Sequence, residues 1–187
     1  MNLLKAFFQQ NGFNDADTEL IISNFSFKQI KKGEHFVEDG KTSKWLGYIE
    51  QGYFQYYINL EGEEKTTYSL GPNNLVASLV SFLKQVPARE NIRAVSNSTM
   101  WIISKEAFQN LRNVIPAFNQ FYIGLLEWQI CCIEESRIDG IVLSALQRYE
   151  KMLNKEPQII QQVPLHYLAS MLGVTPRHLS RIRNNIC

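Results

Sequence analysis

The sequence predicts an α+β chain: an N-terminal antiparallel β-roll of the double-stranded β-helix or jelly-roll type, then a long helix, then a small C-terminal helix-turn-helix domain. Three observations predict it. From Ser26 to Ile103 short runs rich in β-branched and aromatic residues are punctuated by glycine at regular intervals, as in a small antiparallel roll. From Pro116 the apolar residues return to helical spacing as far as Ile138,. The stretch Val163 to Arg183 reads as two short helices around a glycine,. These signals divide the chain into residues 1–115, 116–138 and 139–187.

Leu3, Leu4, Phe7 and Phe8 predict a short helix ending before Gly12, and Asp15 to Phe25 a second with Leu20, Ile21 and Phe25 buried,. Strand-like runs follow at 32–40, 45–58, 66–72, 91–95 and 99–103, with a hairpin loop over Asn59 to Glu63,. Ser104 can cap a helix that carries Ala107, Phe108 and Leu111 on one side,. Pro116 can open the long helix. Its apolar band Phe118, Phe121, Leu125, Trp128, Cys132 advances in alternating steps of three and four, the spacing of a coiled-coil seam, so one side is expected on the roll and this band on a second subunit. Asp139-Gly140 should break the helix. Val142, Leu146, Tyr149 and Leu153 mark the next one, and Asn154 to Pro157 should end it,.

The C-terminal stretch is the most informative. Pro164 suits a first helical turn, and Leu165, Leu168, Ala169 and Leu172 form one apolar stripe,. Gly173 permits the turn, Thr175 caps the next helix and Pro176 starts it,. Leu179 and Ile182 then face inward while Arg177, His178, Ser180, Arg181 and Arg183 stay outside. Residues 163–187 hold three arginines and no Asp, Glu or Lys. A small crossing residue, a turn glycine, a cap and a basic outer face fit a helix-turn-helix that presents its second helix to the DNA major groove.

A net charge of +1 excludes non-specific coating of DNA by the whole surface, so any affinity comes from this local patch,. With 45% hydrophobic and 20% charged residues the chain is expected to fold as an ordinary globular protein,. The N-terminus lacks the pattern of a signal peptide, and no apolar run approaches the ~20 residues that span a bilayer, so a cytoplasmic protein with no membrane partner is expected. Cys131, Cys132 and Cys187 have no metal-ligand spacing, and His35, His166 and His178 are scattered, so no metal or prosthetic group is expected,. No His/Glu cluster or nucleophile motif points to an enzyme.

Lys32-Gly33-Glu34 with Gly40, the Gly52 turn, Gly71-Pro72, and Leu168-Ala169 through Arg183 together resemble the Crp/Fnr family of bacterial transcription regulators. The resemblance spans essentially the whole chain. It implies a cyclic-nucleotide-binding-type roll, a homodimer built on the long helix, and a C-terminal domain that binds double-stranded DNA, with RNA polymerase as a further partner. On the family motif, Pro176, Arg177 and Arg181 fall where base-reading side chains stand; Thr175, His178, Ser180 and Arg183 suit phosphates. The chain stops four residues after Arg183, so a full wing is expected to be missing.

The resemblance decays at the effector site. Family members that bind cyclic AMP carry a Gly-Glu pair after the turn, where this chain has Ala77-Ser78. Their phosphate-binding arginine falls on Ala88, with Arg89 one residue late, on the opposite side of an extended segment,. Glu90 adds a negative charge near the expected anion. A lost guanidinium plus a repulsion costs on the order of several kcal/mol, so a cyclic nucleotide is disfavoured and the small-molecule effector is left open. Arg89 and Arg93 read as solvated strand arginines, either of which could serve a different anion. The predicted function is a dimeric transcription regulator reading a near-palindromic site. The alternative is a ligand- or partner-binding β-roll signalling protein whose C-terminal domain no longer binds DNA.

Overall fold

The computed structural model describes residues 2–184; the expected absence of a wing and Cys187 lie outside the described residues. Helices α1 (Asn2–Gln10) and α2 (Asp15–Ile22) precede the roll. The Asn14 side chain caps α2 by accepting from the Asp17 amide at 2.8 Å,. Helical geometry places Thr18, Ile21 and Ile22 on the inner face with Phe25 just beyond, whereas Leu20, expected inside, is 44% exposed. Its position, one residue before Ile21 and two before Ile22, turns it away from that stripe.

The roll comprises β1 (Ser26–Ile30), β2 (His35–Val37), β3 (Trp45–Gln51), β4 (Phe54–Leu60), β5 (Glu63–Leu70), β6 (Leu75–Val76), β7 (Asn91–Ala94) and β8 (Ser98–Ser104). They form two four-stranded antiparallel sheets, ordered β1-β8-β3-β6 and β2-β7-β4-β5. Between the sheets lie Ile30, Ile49, Phe54, Val76, Ile92 and Met100. Gly47 sits where the sheets close: a Cβ there would stand 2.4 Å from the Met100 side chain. The β4–β5 loop is shorter than the expected five residues. Pairing continues to Leu60 and Glu63, leaving Glu61-Gly62 with φ of 53° and 84°, the positive angles of a two-residue hairpin turn.

A short helix, α3 (Leu79–Lys84), follows β6, and α4 (Lys105–Val114) follows β8. Ser104 Oγ caps α4, accepting from the Ala107 amide at 3.1 Å. Helix α5 (Pro116–Val142) runs past the expected stop at Ile138 and through Asp139-Gly140. An interior glycine costs only ~1 kcal/mol, and here Asp139 is tied to Lys151 by an ion pair while its carbonyl accepts from the Leu143 amide at 3.0 Å. Val142 therefore closes α5. A capping box of Ser144 and Gln147 starts α6 (Ala145–Lys155),.

Helix α6 ends at Lys155, within the expected Asn154 to Pro157 stop, and Pro157 is also the first residue of a further helix, α7 (Pro157–Gln162),. Pro164 stands at the N-cap of α8 (Leu165–Met171), and α9 (Pro176–Asn184) ends the described chain. Three apolar cores result. The sheets enclose one; α1, α2, α4 and α5 close an aromatic one with Phe8, Phe108 and Phe118; and Tyr149, Ile159, Ile160, Val163, Leu168, Leu172, Leu179 and Ile182 form the third. The third spans α6 to α9, so the C-terminal unit begins at Ser144 and not at residue 139.

Candidate functional site

The α8–α9 pair follows from local chemistry. Ala169 is fully buried where the helices cross, Gly173 turns the chain at φ 65°, and the Val174 amide donates to the Ala169 carbonyl at 3.0 Å,. Arg148 of α6 donates to the Leu172 carbonyl at 2.8 Å, closing the end of α8. Leu179 and Ile182 are buried. Thr175, Pro176, Arg177, His178, Ser180 and Arg181 are exposed and Arg183 is half-buried. Thr175 Oγ1 accepts from the His178 amide at 3.2 Å, so this hydroxyl is engaged as a cap. Among the described residues no carboxylate pairs with the three α9 arginines.

The opposite face of this unit docks on the roll. Thr66 of β5 donates its amide to Ser170 Oγ at 2.8 Å, and Ser69 Oγ donates to the Met171 sulfur at 3.4 Å. The joint is completed by Arg93. Its guanidinium donates to Glu64 Oε1 (2.9 Å) and Oε2 (2.5 Å), to Gln55 Oε1 (2.9 Å) and to the Tyr167 hydroxyl (3.0 Å). It also lies 4.6 Å over the Tyr57 ring,. Arg93 is thus neither an effector-pocket residue nor a solvated strand arginine: it is outside the cavity lining, its side chain is only 18% exposed, and both terminal nitrogens of its fork are engaged.

Between the roll and α5 lies a cavity of about 590 Å³. Tyr56, Tyr68, Leu70, Val76, Ala77 and Phe82 line its roll side, and Phe121, Leu125, Trp128 and Gln129 its α5 side. Of the expected effector residues, Ala77 lines it and Ser78 is buried beneath. Ala88 is packed in the sheet core, and Arg89 is an exposed surface residue outside the lining. Glu90 is the one ionisable carboxyl in the wall, accepting from Ser78 Oγ at 2.8 Å. Burial pushes its carboxyl above the usual carboxylate range, and the Ser78 bond opposes the shift,. Burial also pushes the Tyr68 phenol up to about 12.

A pKa raised in the fold means stability is full below the ordinary 4.5 and is lost as pH rises through the folded value,. Glu90→Gln removes that loss. Its melting temperature should exceed the wild type's by a few degrees at pH 7 and match it at pH 4, as read by differential scanning calorimetry. An equal offset at both pH values would place the carboxylate outside the apolar wall.

Helix α5 turns the expected seam inward. Phe118, at 1% exposure, belongs to the aromatic core and is not available to a second subunit. Phe121, Leu125 and Cys132 are half-buried on the same side, and Trp128, 56% exposed, lies at the cavity rim. The open face carries Ile123, Ile130 and Ile141 and, at its edge, Ile133, which also touches the cavity rim; half-buried Leu126 lies beside them, packed against the aromatic core and lining the cavity. Ile123, Leu126, Ile130 and Ile133 also alternate steps of three and four. The helix therefore has two apolar faces, and the roll takes the one that carries phenylalanine.

Residues 27–113 match the cyclic nucleotide-binding domain family model. No curated relative matches the sequence. Among solved structures, the catabolite activator protein of Thermus thermophilus is 19% identical over 94% of this chain and 84% of its own, with a TM-score of 0.60. FixK2 of Bradyrhizobium japonicum is 12% identical, with a TM-score of 0.74, over 87% of this chain and 84% of that one. A transcriptional regulator from Eubacterium rectale, described as Crp/Fnr family, is 19% identical over 94% and 84%, with a TM-score of 0.66. The chain is Crp/Fnr-like in fold.

Two groups at the site carry no local sequence signal. Glu64, Gln55 and Tyr167, which hold Arg93, lie 29, 38 and 74 residues from it, and no local pattern joins them. Tyr56, Tyr68 and Leu125 line the cavity but look in the sequence like ordinary strand and helix residues. Among the described residues no His, Cys, Asp and Glu cluster could hold a metal, and no helix is long and apolar enough to cross a membrane.

Proposed function

We propose that the protein is a DNA-binding transcription regulator that works in the cytoplasm as a homodimer, and not as an enzyme. The observation that carries this reading is α9: its apolar side is locked in the third core, while Arg177 and Arg181 face outward and pair with no carboxylate among the described residues. In a helix-turn-helix such residues reach base edges, and each arginine can hold a guanine bidentately. Thr175, His178, Ser180 and Arg183 then serve phosphates and Pro176 an apolar contact. The second subunit packs on the open isoleucine face of α5, an apolar strip along a helix ~40 Å long,. Two-fold pairing sets two α9 helices ~34 Å apart over a near-palindromic site.

Strand β5 supplies the route from effector to DNA. Tyr68 and Leu70 line the cavity, while Thr66 and Ser69 of the same strand hold α8. An effector that shifts β5 shifts the docking of the unit that carries α9, a coupling of ~1–3 kcal/mol in typical cases. RNA polymerase is the partner a regulator of this kind would engage.

Selection from a random pool of duplexes at low salt, followed by mobility shifts, tests the reading. A selected site should bind with affinity that falls steeply with salt. Arg181→Ala should lose about 10- to 100-fold on that site, the equivalent of ~1–3 kcal/mol of base discrimination, and far less on random DNA. Equal losses would confine Arg181 to phosphate. No enrichment at any salt would overturn DNA reading and favour a C-terminal unit that contacts protein.

A further inference from the structure

We propose that the cavity between the roll and α5 binds an uncharged, predominantly apolar small molecule that donates a hydrogen bond to Glu90, and does not bind a cyclic nucleotide. The proposal rests on the roll acting as the effector domain. At about 590 Å³ the cavity falls within the ~300–1,000 Å³ of small-molecule sites,. Its lining is aromatic and aliphatic apart from Glu90, Gln129 and asparagines 11, 73 and 74, and no Lys, Arg or His is among the lining residues.

The side chains that would hold a phosphate in this wall are absent or engaged elsewhere. Ala88 has no donor and is packed in the sheet core. Arg89 is exposed and outside the wall. Arg93 is committed to Glu64, Gln55 and Tyr167 on the side that carries α8. The Ala77 amide already donates to the Tyr56 hydroxyl at 3.2 Å, and that hydroxyl donates to the Ala77 carbonyl at 3.3 Å. An anion would instead meet the Glu90 carboxyl, in surroundings that do little to screen a repulsion.

The same carboxyl selects for a donor. Glu90 accepts from one hydroxyl, Ser78 Oγ, and has no cation beside it. A carboxyl has more acceptor sites than that one bond fills. An N–H or O–H from a ligand would satisfy one of them, while the rings of Phe82, Phe121 and Tyr68 cover an apolar body. Tyr68 sits on β5, so a ligand that packs on it presses on the strand that holds α8.

N-phenyl-1-naphthylamine is a suitable probe: uncharged at pH 7, apolar, and equipped with one N–H. Titrated into the full chain, it should show saturable fluorescence enhancement at one site per chain. Cyclic AMP at 1 mM should neither displace it nor raise the melting temperature. Leu125→Trp, which fills the cavity from the half-buried face of α5, should weaken the dye at least tenfold while circular dichroism stays unchanged. Glu90→Ala should weaken it several-fold. Displacement by cyclic AMP, the absence of saturable binding, or a dye affinity indifferent to both substitutions would overturn the proposal; the last would place the dye on the open isoleucine face of α5. The duplex selection on the same preparation separates the two readings. Dye failure with intact DNA binding sinks the cavity proposal alone, and the converse sinks DNA reading alone.

Discussion

Replacing Ile130 and Ile133 together by aspartate should give a folded monomer whose affinity for a two-half-site duplex falls by at least two orders of magnitude. Both side chains already face water, at 66% and 55% exposure, so the fold of one chain loses little by the change. A dimer loses four apolar side chains, each worth ~1.5–3 kcal/mol when fully buried, and places like charges across the two-fold axis. A hundredfold loss requires only ~2.7 kcal/mol, well inside that sum even with incomplete burial. Light scattering after size exclusion reads the oligomer, and mobility shifts read the affinity. Phe118→Ala is the contrasting change. It removes a ring that touches Phe8, Phe13, Phe108 and Phe121, and should cost ~3–5 kcal/mol of folding stability in the monomer itself,. A double aspartate variant that remains dimeric would move the interface off this face.

The second large effect is expected at Arg93. Arg93→Ala leaves the buried Gln55 carbonyl without its guanidinium donor, Glu64 without its cation and the Tyr167 hydroxyl without its partner. Breaking a fully buried pair typically costs ~3–5 kcal/mol. Glu64 is 40% exposed, so solvent screening brings the expected cost nearer ~2 kcal/mol,. The loss falls on the docking between roll and C-terminal unit, because Tyr167 belongs to α8. The Thr66 amide, bonded to Ser170 Oγ, should then exchange its proton faster, and proteolysis should appear near Leu143-Ser144, where α5 gives way to α6. Arg93→Lys keeps the charge but loses the fork, and should fall between the two. A Thr66 amide as protected in Arg93→Ala as in the native chain would show that Ser69, Met171 and their neighbours carry the docking alone.

Truncation shows how the third core changes the obvious experiment. A cut before Val163 would strip α8 and α9 from Tyr149, Ile159 and Ile160, leaving those side chains exposed. A cut after Val142 removes the whole C-terminal unit along its own boundary.

Local patterns carried much of the architecture. The α9 pair was legible because glycine, proline and threonine act within a turn of their own position, and because Leu179 and Ile182 sit one helical turn apart. Asn154 to Pro157 ends α6 as its composition implies, but proline serves equally after one helix and at the start of another, so α7 is not legible locally; it exists because Ile159 and Ile160 reach the third core. The β4–β5 hairpin is legible in its turn residues but its width is not, since strand pairing extends wherever the facing chain allows.

The amino-acid sequence by itself determined the order of roll, long helix and basic helical pair, and the absence of a guanidinium at Ala88. All of these rest on residue type or on spacing within one element. Tertiary structure alone decided which apolar face of α5 meets the roll, since two faces share the same three-and-four spacing and differ only in how well phenylalanine fills the space above Phe8 and Phe108. It also decided the fate of Arg93. Charge can be read from a sequence, but the carboxylate, amide and phenol that capture it come from three other elements, and only folding brings them within hydrogen-bond reach.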